Sequence, residues 1–390
     1  MNSQCVSFAE DFASARSGGV SVKVIFICAI LVGLQSCGVT GVGTNGGAGN
    51  NSTPAFTNVD APGAGVTVDL GTTPQQINQK SDIVGNFYDS NGIVHGFVRN
   101  SAGTFTVFDA PGATTKCCQG TFGNSINASG MVTGYFVDNN FSLHGYIRSQ
   151  DGTFTIFDVG GSSGTSPTSI NDGGTITGTT SDANQHLRGF VRASDGTSTI
   201  FDAPGVISTG QGVGTIPARI SAAGIVVGNF EDNNNANRGF VRAVDGTITV
   251  IDAPGAIPPC YCSTQLTDIN ASGAIVGVTF AGGMKQSFLR NVDGTFTLFT
   301  IPGAGPGGNG GSGAVAIDDN GSILGNYQDS NAVSHGYLRD PGGSITVLDY
   351  PNTQTGVSIS TVTTQMNSGG AIVGIHYDLL LPVVHGFVRE

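Results

Sequence analysis

Apolar and polar residues alternate along this chain in short runs that end at glycine-rich turns. In the first clear repeat, these runs lie near residues 74–78, 82–88, 93–99 and 104–110, with the polar turns NQKS, DSNG and NSAG between them. Alternation with a period of two is typical of strands that bury one face, and no long stretch has the apolar period of a helix. The pattern therefore predicts an all-β protein built from short antiparallel strands.

The same pattern recurs seven times. The pentapeptide HGFVR stands at 95–99 and again at 385–389, and five relatives lie between these two copies, 44 to 50 residues apart. Two further signatures, IN-x-x-G-x-I-V-G and GTFTxFDAPG, keep the same spacing. A period in this range points to propeller blades or solenoid repeats, because one repeat is too small to bury its own apolar surface. The arginines that end the seven pentapeptides are Arg99, Arg148, Arg192, Arg242, Arg290, Arg339 and Arg389.

Four short strands in each repeat favour a propeller blade over the shorter rung of a β-helix. The last repeat reaches Arg389–Glu390 without a fourth strand, whereas the segment FTNVDAPG (56–63) matches the fourth-strand segment FTVFDAPG (105–112). A strand from one end can complete the sheet of the other end and leave no open edge. We therefore predict a seven-bladed β-propeller of four-stranded antiparallel blades over residues 55–390. Its N-terminal strand is expected to pair with the three C-terminal strands, in the sheet that holds Phe387.

Packing is the first explanation for the polar residues that recur. We hypothesise that each pentapeptide arginine pairs with an FDAPG aspartate on the adjacent strand. A ring of arginines that binds an anion is the functional alternative. The residue before the pentapeptide glycine, His95 in the first copy, is His, Arg or Gln in every copy, so we expect hydrogen-bond donation there. The aspartates are Asp60, Asp109, Asp158, Asp202, Asp252 and Asp349, and Thr300 replaces the seventh.

Glycine content and charge narrow the class of protein and of partner. The chain has 390 residues with 62 glycines and no tryptophan, and 11% of its residues are charged while 38% are hydrophobic. That apolar content is low for a globular protein but too high for a disordered one. The formal net charge is −12 and no cluster of Lys and Arg is visible. Nucleic acid is therefore not an expected partner, because neutralising phosphates requires clustered cations.

The first 54 residues have the features of an export signal and a tether. An apolar run follows Lys23 that is too short for a permanent membrane-spanning helix but suits a signal peptide. It ends in LQSC, Leu34 to Cys37, which resembles the lipobox of bacterial lipoproteins. The resemblance implies a signal peptide over 1–36, a lipidated Cys37 and, over 37–54, a flexible linker. Since Gly38 rather than aspartate follows the cysteine, it also implies the outer rather than the inner membrane. An ordinary secretion signal is the alternative.

Any ligand is expected on the face that carries the links between blades. In a propeller these links share a face with the turns between the second and third strands, and here the links 113–125, 206–218, 256–268 and 304–316 all differ. Calcium candidates on the same face are Asp89, Asp138, Asp232 and Asp329, although their segments lack the ligand spacing of an EF-hand loop. We expect no obligatory cofactor, and an acidic face that suits cations or neutral glycans.

Four cysteines of the expected mature chain lie in two of these links. They are Cys117, Cys118, Cys260 and Cys262. Disulfides are the default for cysteines in exported proteins. We predict two local disulfides, one between the adjacent pair and one within the Cys-Tyr-Cys segment, and zinc binding by all four is the alternative.

The complete repeat, with its IN-x-x-G-x-I-V-G, HGFVR and DGTFTxFDAPG segments, resembles the bacterial extracellular HAF-type repeat over about residues 55–390. The middle residue of the pentapeptide motif is Gly or Ser here, where that family has the alanine of His-Ala-Phe. The resemblance implies export and repetition, and it brings no catalytic residues.

Three functions remain open at this point. The first is a monomeric, non-catalytic binding propeller, anchored to the envelope or extracellular, that presents its variable face to a glycan, a peptide or a partner protein. The second is a propeller enzyme, such as a lyase or glycosidase, which would need residues that break the repeat. His186, Arg219, Glu231 and His376 break it, but they form no recognisable constellation in the sequence. The third is a purely structural component of the envelope.

Overall fold

The described part of the protein consists of β-strands and turns. The computed structural model describes residues 55–160, 164–207, 212–256, 264–281, 284–305, 311–351, 358–378 and 383–390. These residues contain β1 to β28 and no helix, so no described segment is a helix that could cross a membrane. The expected signal peptide, Cys37 and the linker lie outside the described residues, as do Cys260 and Cys262.

The strands form seven antiparallel sheets of four, which we number as blades along the chain. Blade 1 contains β2 (Thr72–Ile77), β3 (Ile83–Tyr88), β4 (Val94–Arg99) and β5 (Phe105–Phe108). Blade 2 contains β6 (Thr121–Ile126), β7 (Val132–Val137), β8 (Leu143–Arg148) and β9 (Phe154–Phe157). Blade 3 contains β10 (Thr165–Ile170), β11 (Ile176–Ser181), β12 (Leu187–Arg192) and β13 (Ser198–Phe201). Blade 4 contains β14 (Thr215–Ile220), β15 (Val226–Glu231), β16 (Asn237–Arg242) and β17 (Ile248–Ile251).

The remaining three blades follow the same plan. Blade 5 contains β18 (Thr264–Ile269), β19 (Ile275–Ala281), β20 (Met284–Arg290) and β21 (Phe296–Phe299). Blade 6 contains β22 (Gly311–Ile317), β23 (Ile323–Gln328), β24 (Ser334–Arg339) and β25 (Ile345–Leu348), and a single parallel bridge between Lys285 and Gly311 joins it to blade 5. Blade 7 contains β26 (Ile359–Met366), β27 (Ile372–Asp378), β28 (His385–Arg389) and β1 (Phe56–Asn58).

The last blade combines strands from the two ends of the chain. β1 pairs antiparallel with β28, so that Phe56 lies opposite Arg389 and Asn58 lies opposite Phe387. The N–H of Val59 then donates to Gly386 O at 2.8 Å. Without β1, the outer edge of β28 would expose unpaired backbone groups, which invite pairing with other chains. The order of the strands in this sheet is the one that the sequence predicts.

The two faces of the disc carry different connections between the strands. On one face, which we call the link face, the inter-blade links, as far as the structure describes them, run along the hairpins between the second and third strands. Gly65 N donates to Tyr88 O at 2.7 Å, and Thr114 N donates to Val137 O at 2.7 Å. The opposite face, the turn face, carries the turns between first and second strands and between third and fourth strands. The expected grouping of links with hairpins is confirmed by these contacts.

Aromatic residues of the third strands fill the spaces between the blades. Phe97, Phe190, Phe240 and Phe387 are fully buried, and each such ring stabilises the fold by roughly 2 kcal/mol. The pentapeptide glycine makes room for this packing. A Cβ placed on Gly239 would lie 2.7 Å from Leu266 of the next blade, so a side chain at that position would displace the neighbouring blade.

Candidate functional site

Six of the seven blades carry an ionic clamp on the link face. We use the term clamp for an aspartate that starts the second hairpin, a donor that starts the third strand, and an aspartate that follows the fourth strand. In blade 2, His144 Nδ1 lies 2.9 Å from the Asp158 carboxylate and Nε2 lies 3.6 Å from Asp138. The imidazole also stacks on Phe136 with ring centroids 5.1 Å apart. Each clamp therefore ties the outermost strand to the central hairpin of its own blade.

The clamps share one geometry although their donors differ. Blade 5 lacks all three charged members, with Ala281, Gln286 and Thr300 in their places. The loss of both acids together with the basic residue indicates that the three act as one set. Four clamps have all three members: Asp89–His95–Asp109, Asp138–His144–Asp158, Asp232–Arg238–Asp252 and Asp329–His335–Asp349. Two are partial: blade 3 has the pair Arg188–Asp202, since Asp182 pairs with His186 instead, and blade 7 has the described pair His385–Asp60.

The clamp carboxylates on the hairpins also hold their own turns. Asp138 Oδ1 accepts hydrogen bonds from Asn140 N and Ser142 N, both at 2.8 Å. Burial alone would raise the pKa of Asp138, but these hydrogen bonds and His144 hold the pKa below its usual value. Burial is likewise opposed by backbone hydrogen bonds at Asp89, Asp182 and Asp232, and the pKa of each is lowered. These acids are therefore ionised turn formers.

The clamps correct our hypothesis about the pentapeptide arginines. We expected Arg99 and its six equivalents to pair with Asp60, Asp109 and their equivalents. That pairing is wrong: within the described residues, none of these seven arginines forms a salt bridge, and the aspartates pair with the residue before the pentapeptide glycine instead. Donation from that position, which the sequence predicts, is confirmed in six blades.

The pentapeptide arginines lie against the preceding blade. The guanidinium of Arg148 sits 5.0 Å from the centre of the Phe108 ring, which belongs to blade 1. Its Nη1 donates to Ser149 O at 3.4 Å, and burial lowers its pKa. The equivalent pairs are Arg192 on Phe157, Arg242 on Phe201 and Arg339 on Phe299. Where the ring is replaced by Val59, Ile251 or Leu348, the equivalent contact is absent from the described residues. The anion-binding alternative gains no support from side chains placed in this way.

An open cleft lies on the link face beside the clamp of blade 2. It has a volume of about 480 Å³ and is lined by Gly112, Phe136, Asp138, Asn139, Asn140, His144, Ile156 and Asp158. The lining combines carboxylate and amide groups with an exposed aliphatic side chain. Blades 1 and 6 keep the two aspartates and the histidine at the equivalent positions. They have Val107 and Val347 in place of Ile156 and Ser90 and Ser330 in place of Asn139, and blade 6 has Tyr327 in place of Phe136.

A ring of asparagines surrounds the central channel at the turn face. Asn78 Nδ2 donates to Asn127 O at 3.0 Å, and Asn127 Nδ2 donates to Asn171 O at 3.2 Å, so that each blade is tied to the next. The ring continues through Asn171, Asn270 and Asn367. At Ser221 and Asp318 the side chain has no amide to donate. These asparagines also shape their turns: Asn127 Oδ1 accepts from Met131 N, and Gly130 has a φ of 83°.

One ion pair replaces the uncharged residues that line the channel in the other blades. Arg219 Nε donates to Asp268 Oδ1 at 3.1 Å, where the other blades have Gln, Ser or Ala. Asp268 also accepts hydrogen bonds from Ile269 N and Ile317 N, and burial raises its pKa. In blades 1 and 2 the uncharged side chain accepts the N–H of the next blade directly, as Gln76 does from Ile126 N. Since arginine cannot accept, Asp268 takes over that role, which gives the pair a structural explanation.

A second break in the repeat lies at the seam between blades 6 and 7. The Tyr350 ring stacks on His376 with centroids 3.6 Å apart, and its hydroxyl donates to Asn58 Oδ1 at 2.6 Å. His376 Nε2 lies 3.3 Å from the same oxygen. The His376 ring stacks on His385 at 5.2 Å, and His385 Nδ1 lies 3.1 Å from Asp60. Burial, with a contribution from His385, lowers the pKa of His376 to about 4.

The other residues that break the repeat do not join this group. His186 pairs with Asp182 at 3.3 Å in blade 3. Glu231 ends β15 in blade 4, and its carbonyl accepts Ile207 N. Arg219 faces the channel. Of the four residues named from the sequence, only His376 lies in a cluster of interacting polar side chains, together with Asn58 and Tyr350, which sequence reasoning missed.

Metal and cysteine predictions have different outcomes. Among the described residues, no group of three or more His, Cys, Asp and Glu side chains is placed to hold a metal ion. The carboxylate of each calcium candidate accepts hydrogen bonds within its own hairpin, as that of Asp329 does from Asn331 N and Val333 N.

The Sγ atoms of Cys117 and Cys118 lie 3.0 Å apart, and Cys118 has a φ of 65°. The disulfide between them stays a prediction.

The solved structures to which this chain is similar share little of its sequence. No protein-family model matches the chain, and no curated protein sequence matches it. Among solved structures, TolB from Acinetobacter baumannii is 13% identical over 76% of each chain, with a TM-score of 0.42. The BP39L lectin from Burkholderia pseudomallei is 11% identical and covers 73% of this chain and 82% of its own, with a TM-score of 0.41.

A third solved structure is the Aleuria aurantia lectin with α-methyl-L-fucoside, which is 14% identical and covers 77% of this chain and 99% of its own, with a TM-score of 0.39. At this level of similarity nothing about the ligands of these proteins transfers to this chain. The described sheets themselves give the chain the all-β architecture of a β-propeller made of four-stranded antiparallel sheets.

Proposed function

We propose that this chain is an exported, non-catalytic binding protein that acyl chains on Cys37 tether to the cell envelope and that engages its ligand through the link face. The observation that carries the proposal is the open cleft of about 480 Å³ beside the blade 2 clamp. Clefts that combine an apolar wall with a few convergent polar groups are the usual form of small-ligand sites.

The rigid backing of the cleft supports binding. The clamp of Asp138, His144 and Asp158 fixes the polar groups, so little ordering of side chains would accompany ligand binding. Similar residues recur at the equivalent positions of blades 1 and 6, so that up to three related sites could engage one extended ligand. Repeated weak sites on a rigid disc raise the overall affinity without any new contact.

The charge of the clefts favours a neutral hydroxylated ligand. Asp138 and Asp158 present carboxylate oxygens, which accept hydrogen bonds from hydroxyl groups, and Asn139 and Asn140 offer amides. Anionic polymers would be repelled by this face. A glycan without acidic groups fits this chemistry better than a nucleic acid or an acidic peptide.

Catalysis is the competing function, and the clefts argue against it. A general acid and base need pKa values near the operating pH, whereas the pKa of Asp138 is lowered by its own turn. Because the clamp residues recur in several blades, a catalytic role would also require several equivalent active sites on one chain. Binding places no such demand on a repeated site.

The test uses the full-length protein purified in detergent. It is applied to arrays of neutral glycans, acidic glycans and peptides, with and without calcium, and the bound material is analysed for cleavage. Saturable binding of a neutral glycan without product supports the proposal. Product formation would favour the enzyme, and binding to acidic glycans alone would contradict the ligand class.

A matched pair of variants locates the binding face. Val107, Ile156 and Val347 are 41%, 39% and 44% exposed on the link-face side, and replacing all three by Glu should weaken binding at least about tenfold. Val244 and Val292 are 67% and 64% exposed in turns of the turn face. Replacing these two by Glu adds the same kind of charge and should leave binding unchanged. If the turn-face variant weakens binding and the link-face variant does not, the ligand binds to the turn face instead.

A further inference from the structure

The seam between blades 6 and 7 departs from the repeat at three positions that contact one another. Asn58 stands where the other six fourth strands have Val, Ile or Leu. His376 stands where the other second strands have Phe, Tyr or Thr, and Tyr350 stands where the other links have Ala, Val or Ile. These residues come from three distant parts of the sequence, yet Asn58 Oδ1 lies within hydrogen-bonding distance of both Tyr350 and His376.

The fold itself does not require this polar group. Six other seams are built with apolar or small residues at the same places, so the scaffold tolerates them. Burying the imidazole of His376, which is 8% exposed, costs free energy that a phenylalanine would not. A local departure from a rule that the rest of the molecule obeys, at an energetic cost, is typical of a functional site.

The group leaves hydrogen-bonding capacity open toward solvent. Asn58 and Asp60 are exposed. Within the described residues, nothing accepts a hydrogen bond from Asn58 Nδ2. The Tyr350 hydroxyl donates its proton to Asn58, which leaves its oxygen lone pairs as acceptors. Asp60 has carboxylate lone pairs beyond those that face His385. One donor and two acceptors therefore lie together at the surface.

This set matches the chemistry of a sugar. Neighbouring hydroxyl groups on a sugar ring each donate and accept, so one residue can accept from Asn58 Nδ2 and donate to Tyr350 and Asp60. The Asp60 carboxylate disfavours uronic or sulfated sugars. Proton transfer is a poorer fit: burial, with Asp60, raises the pKa of Tyr350, while the lowered pKa of His376 makes it a weak base at neutral pH.

We propose that Asn58, Asp60, Tyr350 and His376 form a binding site for one neutral sugar residue at the seam between blades 6 and 7. This inference rests on the proposed binding function and gives it a second, specialised site that the cleft of blade 2 does not duplicate. His385 acts as a positioning residue, because it orients Asp60 and stacks on His376.

The decisive variants restore the chain's own repeat. Asn58→Val, His376→Phe and Tyr350→Ala each install a residue that another blade uses at the same position, as Val107, Phe87 and Ala110 do in blade 1. We expect thermal unfolding no lower than that of the wild type for each variant. Affinity for a neutral oligosaccharide should fall at least about tenfold, because Asn58→Val and Tyr350→Ala remove groups that contact the ligand, and His376→Phe removes the hydrogen bond that helps to position Asn58.

Thr57→Val is the matched control. Thr57 is exposed on the same strand as Asn58, and its side chain points to the opposite face of the sheet. The full-length protein in detergent is probed with arrays of neutral and uronic-acid-containing oligosaccharides, and the best neutral sugar is then titrated against each variant. The titration is followed through the histidine Cε1–H signals in NMR spectra. The signals of His376 and His385 should shift on binding, and that of His95 should shift less.

The outcomes separate this site from the proposed function. Loss of sugar binding in Asn58→Val with retention in Thr57→Val supports the site. Equal binding by wild type and by the three reversion variants overturns the site and leaves the link-face proposal intact. Binding restricted to acidic sugars or to peptides overturns the site. If the wild type binds nothing on any array, the proposed function fails and the site fails with it.

Discussion

Arg148 reaches across a blade boundary and places its guanidinium 5.0 Å from the centre of the Phe108 ring. The recurrence of arginine at the end of the pentapeptide follows from this contact. The cation covers a ring of the preceding blade, donates to the next carbonyl in its own turn, and joins the two blades near the turn face. A position that looked like one half of a salt bridge is therefore one half of a cation–π contact.

This contact can be measured with a double-mutant cycle on Arg148→Met and Phe108→Leu. We expect a coupling free energy of about 0.5–2 kcal/mol, because the pair is partly desolvated. Equilibrium unfolding in urea gives the four free energies. The equivalent cycle on Arg290→Met and Ile251→Ala is the control, since Ile251 has no ring, and its coupling should be smaller. Equal coupling in the two cycles would show that the arginine acts only through its aliphatic stem.

The His335 clamp should make stability depend on pH. The hydrogen bond that His335 Nδ1 donates to the Asp349 carboxylate raises the pKa of His335 in the folded protein. The stabilisation by this pair is therefore complete below the unfolded pKa of about 6.5 and is lost as the pH rises through the folded pKa. Asp349→Asn should lower the pKa of His335, measured by NMR, and should destabilise the protein by about 0.5–1 kcal/mol more at about pH 5.5 than at about pH 8.5.

Asp202→Asn provides the control for that pH dependence. Asp202 accepts from Arg188 at 2.7 Å in the same kind of clamp, and arginine keeps its charge throughout this range. The cost of Asp202→Asn should therefore be the same at both pH values. A cost that varies as it does for Asp349→Asn would mean that the pH effect arises elsewhere in the protein.

Ser221→Asn should stabilise the protein. It restores an amide to the asparagine ring, with Asn270 O as its expected acceptor, and it keeps the oxygen that now accepts Ile225 N at 3.1 Å. One added hydrogen bond is worth about 1 kcal/mol, which should appear as a higher urea midpoint. Asn127→Ser makes the reverse change where the amide already donates to the next blade, and it should lower the urea midpoint. A destabilising Ser221→Asn would show that the ring closes by backbone packing alone.

Breaking the Arg219–Asp268 pair should cost much more than replacing it. Arg219→Ala leaves the buried Asp268 carboxylate without its cation and should lower the free energy of unfolding by about 3 kcal/mol. The double variant Arg219→Gln with Asp268→Gln installs the residue type of Gln76 at both positions. It can accept both backbone N–H groups, and we expect it to lie within about 1 kcal/mol of the wild type. A double variant as unstable as the single one would mean that the charges themselves are needed.

The repeat period predicted most of the fold. The expected runs near 74–78, 82–88, 93–99 and 104–110 became β2 to β5 with small shifts at their ends. Alternation gives the strands, and glycine-containing turns of constant length give their antiparallel order. The seam could also be anticipated, because the segment that contains β1 matches the fourth strands of the other blades.

The clamp pairing was within reach of the sequence but was missed. Arg99 and His95 lie on the same face of β4, so alternation alone cannot tell which of them meets an aspartate. The short turn to β5 decides it: Arg99 pairs with Phe105, which brings Asp109 level with His95. In blade 5 the basic residue and both aspartates are replaced together, by Gln286, Ala281 and Thr300. This joint replacement also indicates that the three positions interact.

The group around Tyr350 lay beyond sequence reasoning. An internal alignment shows that Asn58, Tyr350 and His376 each depart from the repeat, but nothing in the alignment says that they meet. Their contact depends on how blade 6 packs against a sheet made from both ends of the chain. Contacts across such a seam follow from the closed geometry and not from any local pattern.

The pairing of β1 with β28 also decides when folding can finish. Glu390 N lies 3.4 Å from Ala55 O, so the two ends of the described part are already neighbours. A circular permutant that joins them and opens the chain in a turn-face loop should form the same disc. In the natural order of the chain, β1 waits for β28, the last strand of the described part, and the edge of β28 stays open until the two strands pair.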